Sequence, residues 1–148
     1  MPEIAVAHNI PYVATATHGY PFDLMAKVAK AVATPGPAYV HVLSVCPTGW
    51  RSPTDTINRQ SRLAVQTGVF PLFEVENGVY KMSIDLPKLR PVTDYLKGQG
   101  RFRHLSDDVI AKIQDRVNLE YQKLLEKAKH GSKTTQRKSR TGAGKVPA

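Results

Sequence analysis

The chain has 148 residues and a mass of 16.3 kDa, and 41% of its residues are hydrophobic while 22% are charged. This composition is typical of one globular domain with a short tail, and it excludes a wholly disordered protein. No apolar run reaches the roughly 18 to 20 residues that a membrane-spanning helix needs. The start, Met1-Pro2-Glu3, lacks the basic n-region of a signal peptide. We therefore expect a soluble cytoplasmic protein without a membrane partner.

Cys46 is the single cysteine of the chain. A lone cysteine excludes an internal disulfide. Nor can it alone supply the several thiolates of a cysteine-bound zinc or iron–sulfur site.

The net charge of +9 is concentrated near the C-terminus. Residues 1–126 hold 14 basic and all 12 acidic residues, so their net charge is only +2. Residues 127–148 hold no acidic residue and seven basic ones, namely Lys127, Lys129, Lys133, Arg137, Lys138, Arg140 and Lys145. Basic tails without aromatic residues bind nucleic acid mainly through non-specific counterion release. Nucleic acid is therefore not an expected specific partner.

Residues 10–45 predict a β-α-β unit with a right-handed crossover. Residues 10–17 form a β-rich run without long polar side chains, which is typical of a strand buried on both faces of a parallel sheet. Residues 38–45 form a second β-branched, apolar run. Between them, Pro21 suits the first turn of a helix that ends at Thr34-Pro35-Gly36-Pro37.

The crossover helix carries an apolar face that we expect to pack on the sheet, with Lys27 and Lys30 on the opposite, outward side. The apolar residues at helical spacing are Phe22, Met25, Val28, Ala29 and Val32.

The loop Cys46-Pro-Thr-Gly-Trp-Arg51 follows the second strand and lies at its carboxyl end, where open α/β sheets build their sites. A helix is predicted from about Pro53 to Gly68, with the glycine as its C-cap. Residues 69–75 and 79–83 are joined by Glu76-Asn77-Gly78, and the Asn-Gly pair predicts a tight β-hairpin.

The remaining residues predict two helices and a tail. A short helix covers residues 91–96, and a loop covers residues 98–105. Ser106 is an N-cap before two aspartates, and the helix it opens carries one apolar stripe of Val109, Ile110, Ile113, Val117, Tyr121 and Leu124. Residues 131–148 offer almost nothing to bury, so we predict a domain at 1–130 and a basic disordered tail at 131–148.

Two interpretations of Cys46 stay open on local sequence. Its thiolate could be held rigidly in the loop, or its side chain could be a small buried hydrophobe at a strand end. A catalytic thiolate would need a base, for which His18 and His41 are candidates. His41 alternates with apolar residues along a strand, however, as structural histidines do. The sequence has no Gly-rich phosphate loop and no metal-spaced ligand cluster.

Two segments offer cationic and aromatic side chains. Trp50 and Arg51 could pack over a cofactor and position an anionic partner, or they could close the end of the sheet and face solvent. A basic loop around Phe102 could contact phosphate, although we favour a solvated loop; its cationic candidates are Arg101, Arg103 and His104.

Several phrases together resemble the C-terminal half of the β subunit of pyruvate:ferredoxin oxidoreductase, a 2-oxoacid:ferredoxin oxidoreductase also called pyruvate synthase. They occur in a consistent order over about residues 1–125. The phrases are Asn9-Ile-Pro-Tyr-Val-Ala-Thr-Ala, Gly19-Tyr-Pro-Phe-Asp-Leu, His41-Val-Leu-Ser-Val-Cys-Pro-Thr-Gly-Trp-Arg51, Leu63-Ala-Val-Gln-Thr-Gly-Val-Phe-Pro-Leu-Phe-Glu-Val-Glu-Asn-Gly78 and Gly100-Arg-Phe-Arg-His-Leu105.

The resemblance implies a fold, an activity and a site. The fold is the C-terminal half of a thiamine-diphosphate-binding three-layer α/β/α domain, with a mostly parallel sheet, a β-hairpin and a C-terminal helix. The activity is oxidative decarboxylation of a 2-oxoacid, with formation of acyl-CoA and electron transfer through iron–sulfur clusters to ferredoxin. In such subunits a late cysteine is one of four ligands of a 4Fe-4S cluster, and Cys46 occupies that position. Val45 stands where the family usually has proline.

The same resemblance implies that much of the subunit lies outside this chain. The other three cysteines and the Gly-Asp-Gly…Asn segment that holds magnesium and the cofactor diphosphate belong to an N-terminal half, and Met1 resembles an internal methionine of the longer subunit. We expect either the C-terminal piece of a split or interrupted gene or an incomplete sequence. By itself the chain is expected to bind no cofactor, to be inactive, and to aggregate or need its partner. Its expected partners are that N-terminal half, the α and other subunits, and ferredoxin. The alternative is a noncatalytic module or degenerate subunit that docks an acidic partner through its basic tail.

Overall fold

A computed structural model describes the backbone of residues 1–141 and the side chains of residues 1–131. Its helices and strands, in chain order, are α1 (Pro2–Ala7), β1 (Tyr12–Thr17), α2 (Pro21–Ala33), β2 (Ala38–Leu43), α3 (Pro47–Trp50), α4 (Ile57–Gln66), β3 (Phe73–Glu76), β4 (Val79–Met82), α5 (Val92–Leu96) and α6 (Asp107–Thr141), with single 3₁₀ turns at Thr54–Thr56 and Gly100–Phe102. Among the described residues, no helix has the length and apolar character that crossing a membrane requires.

The four strands form one sheet in the order β2-β1-β3-β4. β1 and β2 are parallel with Tyr12 opposite Ala38, as the predicted β-α-β unit requires. β1 is also antiparallel to β3, and β3 to β4. The prediction of a mostly parallel sheet is therefore wrong for the described strands, because β3 runs back along β1 and the hairpin then adds an antiparallel neighbour.

The predicted hairpin is confirmed. Asn77 and Gly78 both have positive φ, 48° and 81°, which is the backbone of a type I′ turn and the reason for an Asn-Gly pair. Gly68 also has a positive φ, 75°, directly after the end of α4, so its predicted role in ending that helix is confirmed.

Helices cover both faces of the sheet. Every residue of β1 is buried, as predicted for this strand. On one face, α1 and α6 bury an apolar cluster of Ala5, Val13, Phe73, Val75 and Leu124. The sequence analysis did not predict α1, which begins with proline in its first turn. The other face carries α2.

Helix α2 lies on the sheet with its charged side, which is the reverse of the prediction. Lys27 is only 2% exposed, and its Nζ donates to the backbone oxygen of Thr15 at 2.7 Å and to Asp23 at 2.8 Å. Phe22 and Val32, by contrast, are 85% and 83% exposed. The two other large apolar residues of this face, Met25 and Val28, are exposed as well.

The reason for the reversal is that this sheet face is acidic. Glu74 on β3 accepts hydrogen bonds from both Lys30, at 2.8 Å, and the hydroxyl of Tyr12, at 3.0 Å. Burial raises the pKa of the Glu74 carboxyl, but the hydrogen bonds from Lys30 and Tyr12 outweigh it and hold the pKa below its usual value. Burial lowers the pKa of Lys27, whereas its hydrogen bond to Asp23 acts to raise it.

Helix α6 extends through Thr141 and so includes the first residues of the segment 131–148, for which a disordered tail stays a prediction. The segment contains no proline before residue 147, and its lysine, arginine and glutamine residues are good helix formers. The predicted tail residues 142–148 lie outside the described part of the chain.

We predict that Glu74→Gln lowers the free energy of unfolding by about 2 kcal/mol at neutral pH, since a charge-assisted hydrogen bond to Lys30 is lost. A carboxyl whose pKa is depressed on folding contributes stability that is present above the unfolded value of 4.5 and is lost as the pH falls through the folded pKa. The difference between wild type and variant should therefore shrink below pH 4.5. Urea unfolding at pH 7 and pH 3 measures it.

The matched control is Glu76→Gln, because Glu76 also binds Lys30 but has a side chain that is 54% exposed. Its substitution should cost much less stability. A Glu74→Gln difference that stays constant between pH 7 and pH 3 would contradict the assignment.

Candidate functional site

The carboxyl ends of β1 and β2 lie at the same edge of the sheet, because the two strands are parallel. Thr17 Oγ1 donates to the backbone oxygen of Leu43 at 3.0 Å and ties the two ends together. The Cys46 loop follows β2 at this edge, where the sequence predicted it.

Cys46 is the N-cap of the short helix α3 and is exposed. Its Sγ accepts a hydrogen bond from the backbone N–H of Gly49 at 3.4 Å, and its carbonyl accepts one from Trp50 at 2.9 Å. A Cβ at position 49 would lie 3.3 Å from the sulfur, so glycine leaves the space beside it open. Val45, which precedes it, is buried in the core. The loop thus presents the thiol outward, and the alternative of a buried hydrophobe is wrong.

The loop is held by a second segment, residues 99–102. The Arg101 guanidinium lies 4.1 Å from the centroid of the Trp50 ring, a cation–π contact. Arg101 Nε donates to Gln99 Oε1 at 2.9 Å, and the Gln99 side chain donates to the Tyr95 backbone oxygen at 2.8 Å. Tyr95 also meets Trp50 edge-on, and burial raises the pKa of its hydroxyl.

A tight turn of the backbone completes this support. Arg51 adopts the left-handed conformation with a φ of 54°, and its carbonyl accepts a hydrogen bond from Gly100 at 3.1 Å. A Cβ at position 100 would lie 2.9 Å from that carbonyl oxygen. Only glycine therefore allows the two backbones to approach so closely.

The structure joins the two segments that the sequence treated separately, since Arg101 covers Trp50. Arg103 and His104 of the same loop are exposed, as the solvated-loop interpretation predicts. The sequence analysis missed Tyr95, Gln99 and Gly100 as supports. The closely spaced pair Gly98 and Gly100 is the signal that could have indicated a close backbone approach.

The two histidines that were candidate bases contact other residues than Cys46. His18 Nε2 lies 2.7 Å from the Ser61 hydroxyl, which in turn donates to a backbone oxygen of α4. His41 packs edge-on against Phe70, and its Nδ1 is buried without a hydrogen-bond partner. No hydrogen bond joins either ring to Cys46 in the part of the chain with described side chains. A thiol–imidazole pair is therefore not formed.

The residues of this chain do not fit a complete iron–sulfur cluster. Such a cluster needs about four thiolates, and the sequence holds one cysteine. In the described residues, no group of three or more His, Cys, Asp or Glu side chains could hold a metal ion. Cys46 can offer one exposed sulfur to a site whose other ligands come from elsewhere.

Comparisons with known proteins decide the family. The chain is 46% identical over 124 residues to the ketoisovalerate oxidoreductase subunit VorB of Pyrococcus abyssi, and 48% identical over 118 residues to the pyruvate synthase subunit PorB of Methanocaldococcus jannaschii. The PorB subunit of Methanothermobacter thermautotrophicus is 46% identical over 125 residues. The chain belongs to the family of these oxidoreductase subunits. No protein-family model matches it.

Membership in this family confirms the resemblance to the β subunit of 2-oxoacid:ferredoxin oxidoreductases. The matches cover 80 to 84% of this chain but only 40 to 43% of the three relatives. The chain thus spans about two fifths of the length of the named subunits that it matches.

We predict that Arg101→Ala destabilises the loop by about 1 kcal/mol, because a cation–π contact of this size is lost. Trp50 is the single tryptophan of the chain, so tryptophan fluorescence reports on the surroundings of this one ring. Its emission should shift to longer wavelength as water reaches the ring. The control is Arg103→Ala, which removes an exposed guanidinium from the same loop; equal emission spectra in both variants would contradict the role of Arg101.

Proposed function

We propose that this chain is part of the β subunit of a 2-oxoacid:ferredoxin oxidoreductase that acts on pyruvate. Pyruvate and CoA are converted to acetyl-CoA and CO₂, and the two electrons released pass to ferredoxin. The observation that carries the proposal is the 46 to 48% identity to PorB and VorB subunits over more than three quarters of the chain. We place the assembly in the cytoplasm.

Cys46 is, in this proposal, one thiolate ligand of a 4Fe-4S cluster. Its exposed sulfur at the sheet edge supports this role, since a ligand to a shared cluster must be reachable by residues of another polypeptide. The rigid support from Trp50 and Arg101 fixes where the sulfur lies. When bound, the cluster supplies a one-electron relay.

Thiamine diphosphate with magnesium is proposed as the cofactor that supplies the carbanion chemistry in the complete subunit. This chain would form the C-terminal half of the domain that binds it. The α/β sheet with helices on both faces is compatible with that assignment. The chain would have no catalytic residue of its own and no activity by itself.

The proposed partner of this half-domain is the remainder of the β subunit, and its contact surface includes the apolar face of α2. Phe22 and Val32 project from that face almost fully exposed, although apolar faces are normally buried. β2 is an edge strand beside the same helix, and unpaired edges are protected in complete proteins. The other oxidoreductase subunits and ferredoxin would bind the completed subunit.

Complementation tests the proposed activity. The chain is co-expressed with the subunits of the M. jannaschii pyruvate synthase, in which PorB lacks the region that the chain matches. Pyruvate- and CoA-dependent reduction of a viologen dye should appear in the mixture and be absent from the chain alone. Turnover by the isolated chain, or none in a mixture that assembles, would contradict the proposal.

Cys46→Ser should lower this dye reduction by at least a hundredfold and reduce the iron content of the purified complex, while assembly persists. Ser44→Ala is the matched control, because Ser44 is an exposed residue two positions away. Full iron content and activity in Cys46→Ser would exclude Cys46 as a ligand.

The double variant Phe22→Asp/Val32→Asp should abolish assembly, since two buried apolar contacts would become buried charges. Leu119 on α6 is 49% exposed, and Leu119→Asp provides a comparable change on another surface. Co-purification of the truncated PorB with the chain is measured. Equal recovery with the α2 variant and the Leu119 variant would exclude α2 as the contact surface.

A further inference from the structure

A cleft of about 630 Å³ opens between α4 and the segment that follows α5. This volume lies within the range of about 300 to 1,000 Å³ that is usual for small-molecule sites. Four cationic side chains line it, Arg51, Arg59, Arg90 and Lys97, against the single carboxylate of Asp94. The cleft therefore carries a net charge of +3 in a body whose 126 residues together carry only +2.

Three of these four cations have no ion-pair partner among the side chains that the structure describes. Arg90 binds Asp94, with 2.8 Å between guanidinium nitrogen and carboxylate oxygen. Arg51, Arg59 and Lys97 form no ion pair with the described side chains. Like charges gathered around one concave space repel each other, and an anion placed between them relieves that repulsion.

The floor of the cleft consists of a buried side chain and of closely packed backbone. Gln60 lies in it and is only 2% exposed. A Cβ at position 98 would lie 1.7 Å from Gln60 Nε2, so glycine at 98 lets the two walls meet. Arg51 is fixed by its left-handed backbone and by the hydrogen bond from Gly100.

Gln60 also indicates the kind of ligand. Its Oε1 is buried and has no hydrogen-bond partner among the described residues, a costly state for a carbonyl oxygen. A ligand satisfies both features of the cleft if it has anionic oxygens for the cations and an O–H or N–H for this acceptor. Arginine binds both carboxylate and phosphate oxygens through two parallel N–H donors. We favour phosphate because it can carry more than one negative charge, which better matches the net charge of +3.

We propose that this cleft binds a small phosphate-bearing ligand that also carries hydroxyl or amine donors, the chemistry of a nucleotide. Arg59 and Lys97 bind the phosphates from opposite walls, Arg51 at the end of the Cys46 loop lines the same cleft, and Gln60 accepts a hydrogen bond from the ligand. The proposal does not rest on the cluster role of Cys46, because Arg59, Lys97 and Gln60 are not among the residues that support its loop.

Isothermal titration of the full chain with ADP tests the proposal. Binding at one site per chain is expected, and Arg59→Gln/Lys97→Gln should weaken it at least tenfold. Both residues are exposed, so circular dichroism should show an unchanged fold. Arg103→Gln/Lys112→Gln removes the same charge from exposed positions outside the cleft and should change the affinity less than twofold.

Two further ligands separate the contribution of the phosphates from that of the hydroxyl and amine donors. Pyrophosphate lacks the donors and should bind more weakly than ADP but with the same dependence on Arg59 and Lys97, whereas adenosine should not bind. Amide resonances of Gly98 and Gly100 should shift on adding ADP. If both double variants lose ADP affinity equally, the binding is general charge attraction and the site is refuted. The absence of ADP binding would also refute the site. Cys46→Ser should keep full ADP affinity, which separates this test from that of the proposed function.

Discussion

The polar contacts between α2 and the sheet decide which side of this helix is exposed to solvent. Lys27 and Lys30 reach backward onto β1 and Glu74, and a helix can turn only one side to a sheet. The apolar side of α2 must then face away. A buried charged contact is stabilising only when its partners are well placed, and here Tyr12 and Asp23 complete the set. The exposed apolar face is thus a consequence of the acidic sheet face.

Local chemistry made several elements predictable. The Asn77-Gly78 turn, the buried β1 strand and the end of α4 at Gly68 follow from backbone preferences within a few residues. The inward side of α2 was not predictable in this way. Lys30 binds Glu74 and Glu76 on a strand more than 40 residues away in sequence, and Lys27 binds the backbone of β1. The spacing of apolar residues along α2 carries no information about these partners.

The candidate site likewise has features that the sequence predicts and features that depend on the fold. The position of Cys46 at the carboxyl end of β2 follows from the order of strand and loop, and the surrounding phrase is the basis of its proposed role. The contact of Arg101 with Trp50 depends on how α5 brings residues 99–102 to the sheet edge. Such a contact needs the fold, because neither segment contains a local signal for the other. The cleft beside Gln60 is likewise made by packing.

The position of β1 in the sheet has a consequence for synthesis of the protein. Its parallel neighbour β2 is complete at residue 43, whereas its antiparallel neighbour β3 begins at residue 73. As the chain leaves the ribosome, β1 can pair on one side about 30 residues before its other side is covered, a delay of seconds at roughly 5 to 20 residues per second. During that interval the backbone of β1 is open to wrong pairing. A chaperone that holds nascent apolar segments would therefore matter most for this strand.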